Sequence, residues 1–181
     1  MTIQDWERLG DETLARYKVF TVRKSRRRSP RTGADIGFFL IDTPDWVNVV
    51  ALTTDDRIVL VRQFRHGTEH VSLEIPGGLI DPGEEPAAAA RRELREETGY
   101  VATHVEPLGV MTPNPAILSN RCHAFLATGC EPTHGLAMDP GEDIEVVTVP
   151  RRELDRRIRD GEIDHALVLA AFAFLKARGT G

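Results

Sequence analysis

Apolar and polar positions along the chain mark out many short strands and few helices. Tyr17 to Arg23 is rich in β-branched and aromatic residues and reads as a strand. After the turn marked by Pro30 and Gly33, Ile36 to Ile41 reads as a second strand, broken by Thr43, Pro44 and Asp45. Trp46 to Leu52 and Ile58 to Phe64 are apolar strands joined by a hairpin-like connection through Thr53 to Arg57. Val71 to Ile75 is a short strand that ends in Pro76, Gly77 and Gly78. Val105 to Met111, Cys122 to Ala127 and Ile144 to Val149 complete the set of strands.

Helical patterning is confined to three places. Pro86 to Thr98 has proline where a helix begins and Gly99 just past its end, positions that suit each residue's backbone. Arg151 to Asp160 and His165 to Arg178 close the chain. The last places Leu167, Ala170, Ala171, Phe174 and Leu175 on one stripe, ready to pack on a sheet. Thr2 to Leu14 reads as a short helix or a loose arm, and the basic run Lys24 to Arg31 as an exposed hairpin tip. Hairpin strands with few helices predict an α+β sandwich, not a doubly wound sheet.

Composition narrows this picture. With 41% hydrophobic and 28% charged residues, the 181-residue chain has the material for a packed core. No apolar run approaches the ~20 residues needed to cross a bilayer. The opening residues Met1 to Glu7 are too polar for a signal peptide. Cys122 and Cys130 are the only cysteines, which rules out a disulfide framework; both read as buried thiols of a cytoplasmic protein. A net charge of -5 argues against a protein that coats nucleic acid.

The segment Arg91 to Gly99 carries the most chemistry. At about 100° per residue, with Glu93 at zero, Glu97 falls near 40° and Glu96 near 300°, so three carboxylates share one arc. Ala87, Ala90 and Leu94 form a narrow stripe meant for burial, and Arg91 and Arg95 face away. Like charges three and four residues apart repel, and the end of a helix favours cations. A solvated charged face does not explain that clustering. A divalent cation held by hard oxygen ligands does. Gly77 and Gly78 let backbone groups approach a ligand closely. Because Mg²⁺ commonly shares its shell with substrate phosphates, a phosphate-bearing substrate is expected.

These residues carry a resemblance. From Gly78, through Glu84 and Arg92-Glu93-Leu94 with Glu96-Glu97, to Gly99-Tyr100, the chain resembles the Nudix box: Gly, five residues, Glu, seven residues, Arg-Glu-aliphatic-x-Glu-Glu-x-Gly-aliphatic. Only Tyr100 departs, standing where the family has an aliphatic residue. The resemblance implies the Nudix fold, an α/β/α sandwich with a mixed β-sheet over residues 46–181. It also implies Mg²⁺-dependent hydrolysis of a nucleoside diphosphate linked to another group, with Mn²⁺ able to substitute. Glu93 and Glu97 then match the principal metal ligands, and Glu96 a further ligand or a base. The Gly77 carbonyl is an added ligand, and Glu84 and Arg92 hold loop and helix together. Val61 to Thr68, Leu73 to Gly78, Pro115 and Glu142 to Val146 are similar to the ADP-ribose pyrophosphatase and nucleoside-diphosphate-sugar hydrolase branch. There, residues 1–45 correspond to an antiparallel strand module that often builds a homodimer, and Glu142 to a catalytic base.

Other candidates are weighed on their own chemistry. Arg65, near a strand end, suits the substrate pyrophosphate, or else an ion pair with Glu69 or Glu74. Arg62 falls on the opposite strand face and is a second candidate for the substrate. Trp46 either stacks on the base or seals the sheet edge or a dimer interface. Asp143, Glu145 and Glu96 compete with Glu142 for the role of base. The six histidines, His165 included, show no ligand-spaced pair and read as structural or exposed. The expected function is cleavage of ADP-ribose or a related nucleoside diphosphate sugar to a nucleoside monophosphate and a sugar phosphate. The alternatives are a hydrolase of another linked diphosphate and a non-catalytic ADP-ribose sensor. The intact Glu93, Glu96 and Glu97 argue against the sensor.

Overall fold

The structure is a computed structural model, and it describes residues 2–137, 141 and 143–179. It divides into two compact units, Met1–Pro44 with Thr112–Asn120, and Asp45–Met111 with Arg121–Gly181.

The first unit is built on three antiparallel strands in the order β1 (Glu7–Arg16), β2 (Thr21–Arg28), β3 (Asp35–Asp42). The sequence pattern missed β1, which is neither a helix nor a loose arm. Its acidic residues lie opposite the basic strand β2, with Glu12 across from Lys24 and Glu7 across from Arg28. Arg28 also binds Asp35 of β3, Nε to Oδ1, at 3.0 Å. Opposite charges facing each other across a ladder favour that pairing, and this hides the usual apolar signature of a strand. Most of the basic run is therefore strand and not hairpin tip. The tip is the tight turn beyond it, closed by the Gly33 N–H donating to the Ser29 carbonyl at 2.8 Å. Trp6 and Phe38 pack edge to face at 5.5 Å, and Phe39 stands 61% exposed. Pro115 belongs to the segment 112–120 of this unit.

The second unit holds an eight-stranded mixed sheet. Its strands are β4 (Trp46–Thr53), β5 (Arg57–Arg65), β6 (His70–Glu74), β7 (Gly77–Leu79), β8 (Tyr100–Val101), β9 (His104–Met111), β10 (Cys122–Pro132) and β11 (Ile144–Pro150). Order along the sheet is β11-β5-β4-β10-β8, with β6 on β5, β7 on β4 and β9 on β10. Strand β10 runs parallel to β4, and the other pairings are antiparallel.

Both faces of this sheet are covered, so β4 is apolar on both sides. Val47, Val49 and Ala51 join Ala89, Ala90 and Leu94 of α1 (Pro86–Thr98) in one cluster. Val50 and Leu52 join Val168, Ala171, Phe172 and Leu175 of α3 (Ala166–Ala177) in the other. Between β11 and α3, a 3-10 turn (Arg151–Glu153) leads into the short helix α2 (Leu154–Arg159). The arrangement is the expected α+β sandwich.

Two predicted stripes are corrected. On α3 the buried positions are Val168, Ala171, Phe172 and Leu175, while Leu167, Ala170 and Phe174 are only half-buried. The helix is apolar almost all round, so its sequence cannot say which stripe turns inward. On α1, Ala87 is exposed and Ala89 is buried, because the buried arc extends over Glu93 and Glu97. Gly99 ends α1 in the left-handed region at φ 73°, its N–H donating to the Arg95 carbonyl at 2.8 Å.

Candidate active site

Strands β4 and β5 pair for only two residues beside their hairpin, Ala51 with Val59 and Leu52 with Ile58. They then part. The start of β4 takes β7 as its neighbour, and the end of β5 takes β6. A cavity of about 950 Å³ opens along the parted strands, lined by Trp46 and Asn48 from β4, Phe64 and Arg65 from β5, and Gly77 and Gly78 from β7. Its size suits a small-molecule ligand.

Helix α1 reaches this wall through its carboxylates. The Gly77 N–H donates to Glu97 Oε2 at 2.9 Å. A side chain on Gly78 would collide with the Glu93 carboxylate, and one on Gly77 with the Val47 carbonyl and the Asn48 amide. Glycine is required at Gly77 by the close approach of backbone, and at Gly78 it lets the Glu93 carboxylate keep its place. Glu93 is 8% exposed and Glu97 3%, so these are not members of a solvated face. Glu96 is half-buried, between Arg92 at 3.3 Å and Arg95 at 3.3 Å.

Arg92 ties the group together. Its Nε and Nη2 donate to both oxygens of Glu84, at 3.0 and 2.9 Å, and Nη2 also donates to the Leu79 carbonyl at 2.9 Å. Its Nη1 donates to Glu93 Oε1 at 2.7 Å. The hydrogen bonds from Arg92 hold the Glu84 carboxyl below its usual range despite partial burial. The same contacts raise Arg92 further, Glu84 contributing most. Loop and helix are thus fastened by a guanidinium fork.

Arg65 meets one of its two predicted partners. Its Nε and Nη2 donate to Glu74 at 2.7 and 2.6 Å, with Glu74 itself 2% exposed. Burial pushes the Glu74 carboxyl up, but the Arg65 hydrogen bonds and charge outweigh it, aided by the nearby His165 ring and Ser72. The carboxyl ends below its usual value. Arg62 is placed elsewhere, paired with Glu145 at 3.2 Å on an exposed surface. Trp46, Arg65 and Gly77 therefore line the cavity, Glu93 and Glu97 abut it at the glycines, and Arg62 is turned to Glu145. Glu142 lies outside the described residues, while its neighbours Gly141 and Asp143 line the cavity.

Asn48 and His165 line the cavity although sequence reasoning passed over both. Asn48 had a legible signal, the one polar residue between Trp46 and Leu52. His165 had none, because only the docking of α3 brings it there. The cysteines sit as expected: burial pushes Cys122 up to about 12 and Cys130 up to about 11. No helix among the described residues is long and apolar enough to cross a membrane.

The donor set fits a hard divalent cation, with buried carboxylate oxygens and a backbone loop in reach of each other. Among the described residues, no three or more acidic, histidine or cysteine side chains are grouped so that they could hold a metal ion by themselves. An ion that keeps waters and substrate phosphates in its shell suits such a site.

Comparison with known proteins agrees with this geometry. The chain is 31% identical over 183 residues to the ADP-ribose pyrophosphatase of Mycobacterium tuberculosis, covering 100% of this chain and 88% of that protein. It is 31% identical over 140 residues to the ADP-ribose pyrophosphatase of Bacillus subtilis, covering 77% of this chain and 76% of that one. The crystal structure of an ADP compounds hydrolase superposes with a TM-score of 0.87 at 27% identity, covering 100% of this chain and 98% of that one. Residues 43–172 match the NUDIX domain, and the chain belongs to the Nudix family.

Proposed function

We propose that this Nudix hydrolase cleaves the pyrophosphate of ADP-ribose or a related nucleoside diphosphate sugar, releasing a nucleoside monophosphate and a sugar phosphate. One observation carries the reading. Glu93 and Glu97 are buried on one helix arc, against both mutual repulsion and the helix dipole, and abut two glycines that line a cavity of about 950 Å³. Packing alone gives no reason for that placement. The names of the relatives support the same substrate class.

In this reading Glu93, Glu97, Glu96 and the Gly77 carbonyl hold Mg²⁺, with Mn²⁺ able to replace it. When bound, the ion neutralises phosphate charge and makes water a better nucleophile. Arg65 binds the pyrophosphate, its guanidinium plane fixed by Glu74. Trp46 offers an aromatic face to the substrate. Glu96 or Glu142 takes the proton from water on the sequence argument, with Asp143, which lines the cavity, and Glu145 competing for the role. Arg62, engaged by Glu145, steers the anionic substrate at long range. The protein works in the cytoplasm as a homodimer, with the exposed aromatic surface of the first unit as the contact.

A panel of nucleoside diphosphate sugars tests the proposal, with released phosphate read after coupling to a phosphatase. ADP-ribose should give AMP and ribose phosphate with Mg²⁺, and nothing once the metal is chelated. Tight binding of ADP-ribose without product would overturn hydrolysis and favour a sensor. Light scattering in solution checks the dimer.

A further inference from the structure

Two of the residues that line the cavity each hold a buried side-chain nitrogen with no hydrogen-bond partner among the described residues, Asn48 Nδ2 and His165 Nδ1. A polar atom in that condition is costly and calls for an explanation. Local structure supplies none. Asn48 lies on the face of β4 that carries Val50 and Leu52 into the apolar cluster, where an aliphatic residue would pack better. His165 holds the capping position of α3, yet its side chain makes no cap hydrogen bond.

Position narrows the occupant. Helix α3 packs against β4, so the two residues belong to contacting elements. The Asn48 amide abuts Gly77, and His165 lies close enough to influence the Glu74 carboxyl. Whatever meets them lies beside the pyrophosphate, not at the far end of a long substrate. An ionised phosphate oxygen only accepts hydrogen bonds, so it leaves an imidazole nitrogen that needs a donor unpaired. A hydroxyl both accepts from an amide N–H and donates to an imidazole nitrogen. Sugar rings present such hydroxyls in adjacent pairs.

We propose that Asn48 and His165 read the hydroxyls of a sugar ring attached next to the pyrophosphate, and so set which nucleoside diphosphate sugars this enzyme accepts. The inference rests on the hydrolase reading given above. In ADP-ribose two rings meet the requirement, the ribose of the nucleoside and the terminal ribose.

The test compares kcat/KM for three substrates: ADP-ribose, its analogue lacking the nucleoside 2′-hydroxyl, and its analogue lacking the terminal 2-hydroxyl. Wild type should prefer ADP-ribose over one of the analogues by about 10⁴-fold, because a site built around a hydroxyl rejects a substrate without it. The analogue affected identifies the ring. In Asn48→Ala and His165→Ala that preference should fall toward unity, with the loss borne by the two substrates that keep the hydroxyl and not by the analogue that lacks it. His165→Asn, which keeps a polar atom near Nδ1, should restore part of it. Each preference is a ratio within one protein sample, so partial misfolding does not change it. A parallel fall for all three substrates, or a wild type indifferent to both hydroxyls, would overturn the assignment while leaving the hydrolase standing. Failure of the wild type to hydrolyse any of the three would overturn the hydrolase reading itself.

Discussion

Helices α1 and α3 cover opposite faces of the same sheet and are nearly the same length, yet they bury different chemistry. The inner face of α3 is Val168, Ala171, Phe172 and Leu175, all apolar. The inner face of α1 includes Glu93 and Glu97 beside Ala89, Ala90 and Leu94. One helix is placed by the hydrophobic effect alone. The other keeps enough apolar surface to dock and gives the rest of its buried face to carboxylates. Burial that opposes electrostatics marks the functional helix more clearly than charge does, since α2 is also highly charged but sets its arginines against opposite charges, as Arg156 does with Asp160 and Glu162.

The sharpest way to break this contrast is Glu97→Gln. It keeps a carbonyl for the Gly77 N–H but removes the charge. Turnover should fall by about 10²-fold or more, as when a group stabilising transition-state charge is lost. The melting temperature should hold or rise, because a carboxylate that repels its neighbours is gone. A large loss of stability with activity retained would make α1 a packing helix like α3.

The mirror experiment is Phe172→Ala, which should cost about 3–5 kcal/mol of stability by opening a cavity in the core. The fraction that remains folded should keep its kcat. Chemical denaturation followed by assay of the folded enzyme separates the two effects.

A smaller effect is expected at Glu74, a buried carboxylate whose charge is matched by Arg65. Its folded pKa lies below the ordinary glutamate value of 4.5, so folding favours the ionised form. Its contribution to stability is complete above that value and is lost as pH falls through the lowered one. Wild type should therefore lose its advantage over Glu74→Gln in urea denaturation only below pH 4.5. An advantage that stays constant through acid pH would show that the pair adds nothing by charge. The least effect is expected at the cysteines: burial raises both thiols well above neutral, so the native protein should resist alkylation at pH 8 until it is unfolded.

Local pattern fixed much of this protein. Strands β4, β5 and β10, and helix α1 with Pro86 and Gly99 at its ends, follow from apolar runs and backbone preferences. The spacing of Glu93, Glu96 and Glu97 and the pair Gly77-Gly78 were legible too, because spacing on a helix and the absence of a Cβ are properties of the chain. Strand β1 was not legible, since its reason for being a strand is the charge of β2 across from it. The inward stripe of α3 was not, since a helix apolar all round gains its orientation only by docking. The partners of Arg62 and Arg65 and the presence of Asn48 and His165 at one cavity depend on how β4 and β5 part and where α3 begins. Sequence determines what each segment can bury. Tertiary structure decides which polar atoms are left facing one another in the space that remains, because that depends on contacts between residues far apart in the chain.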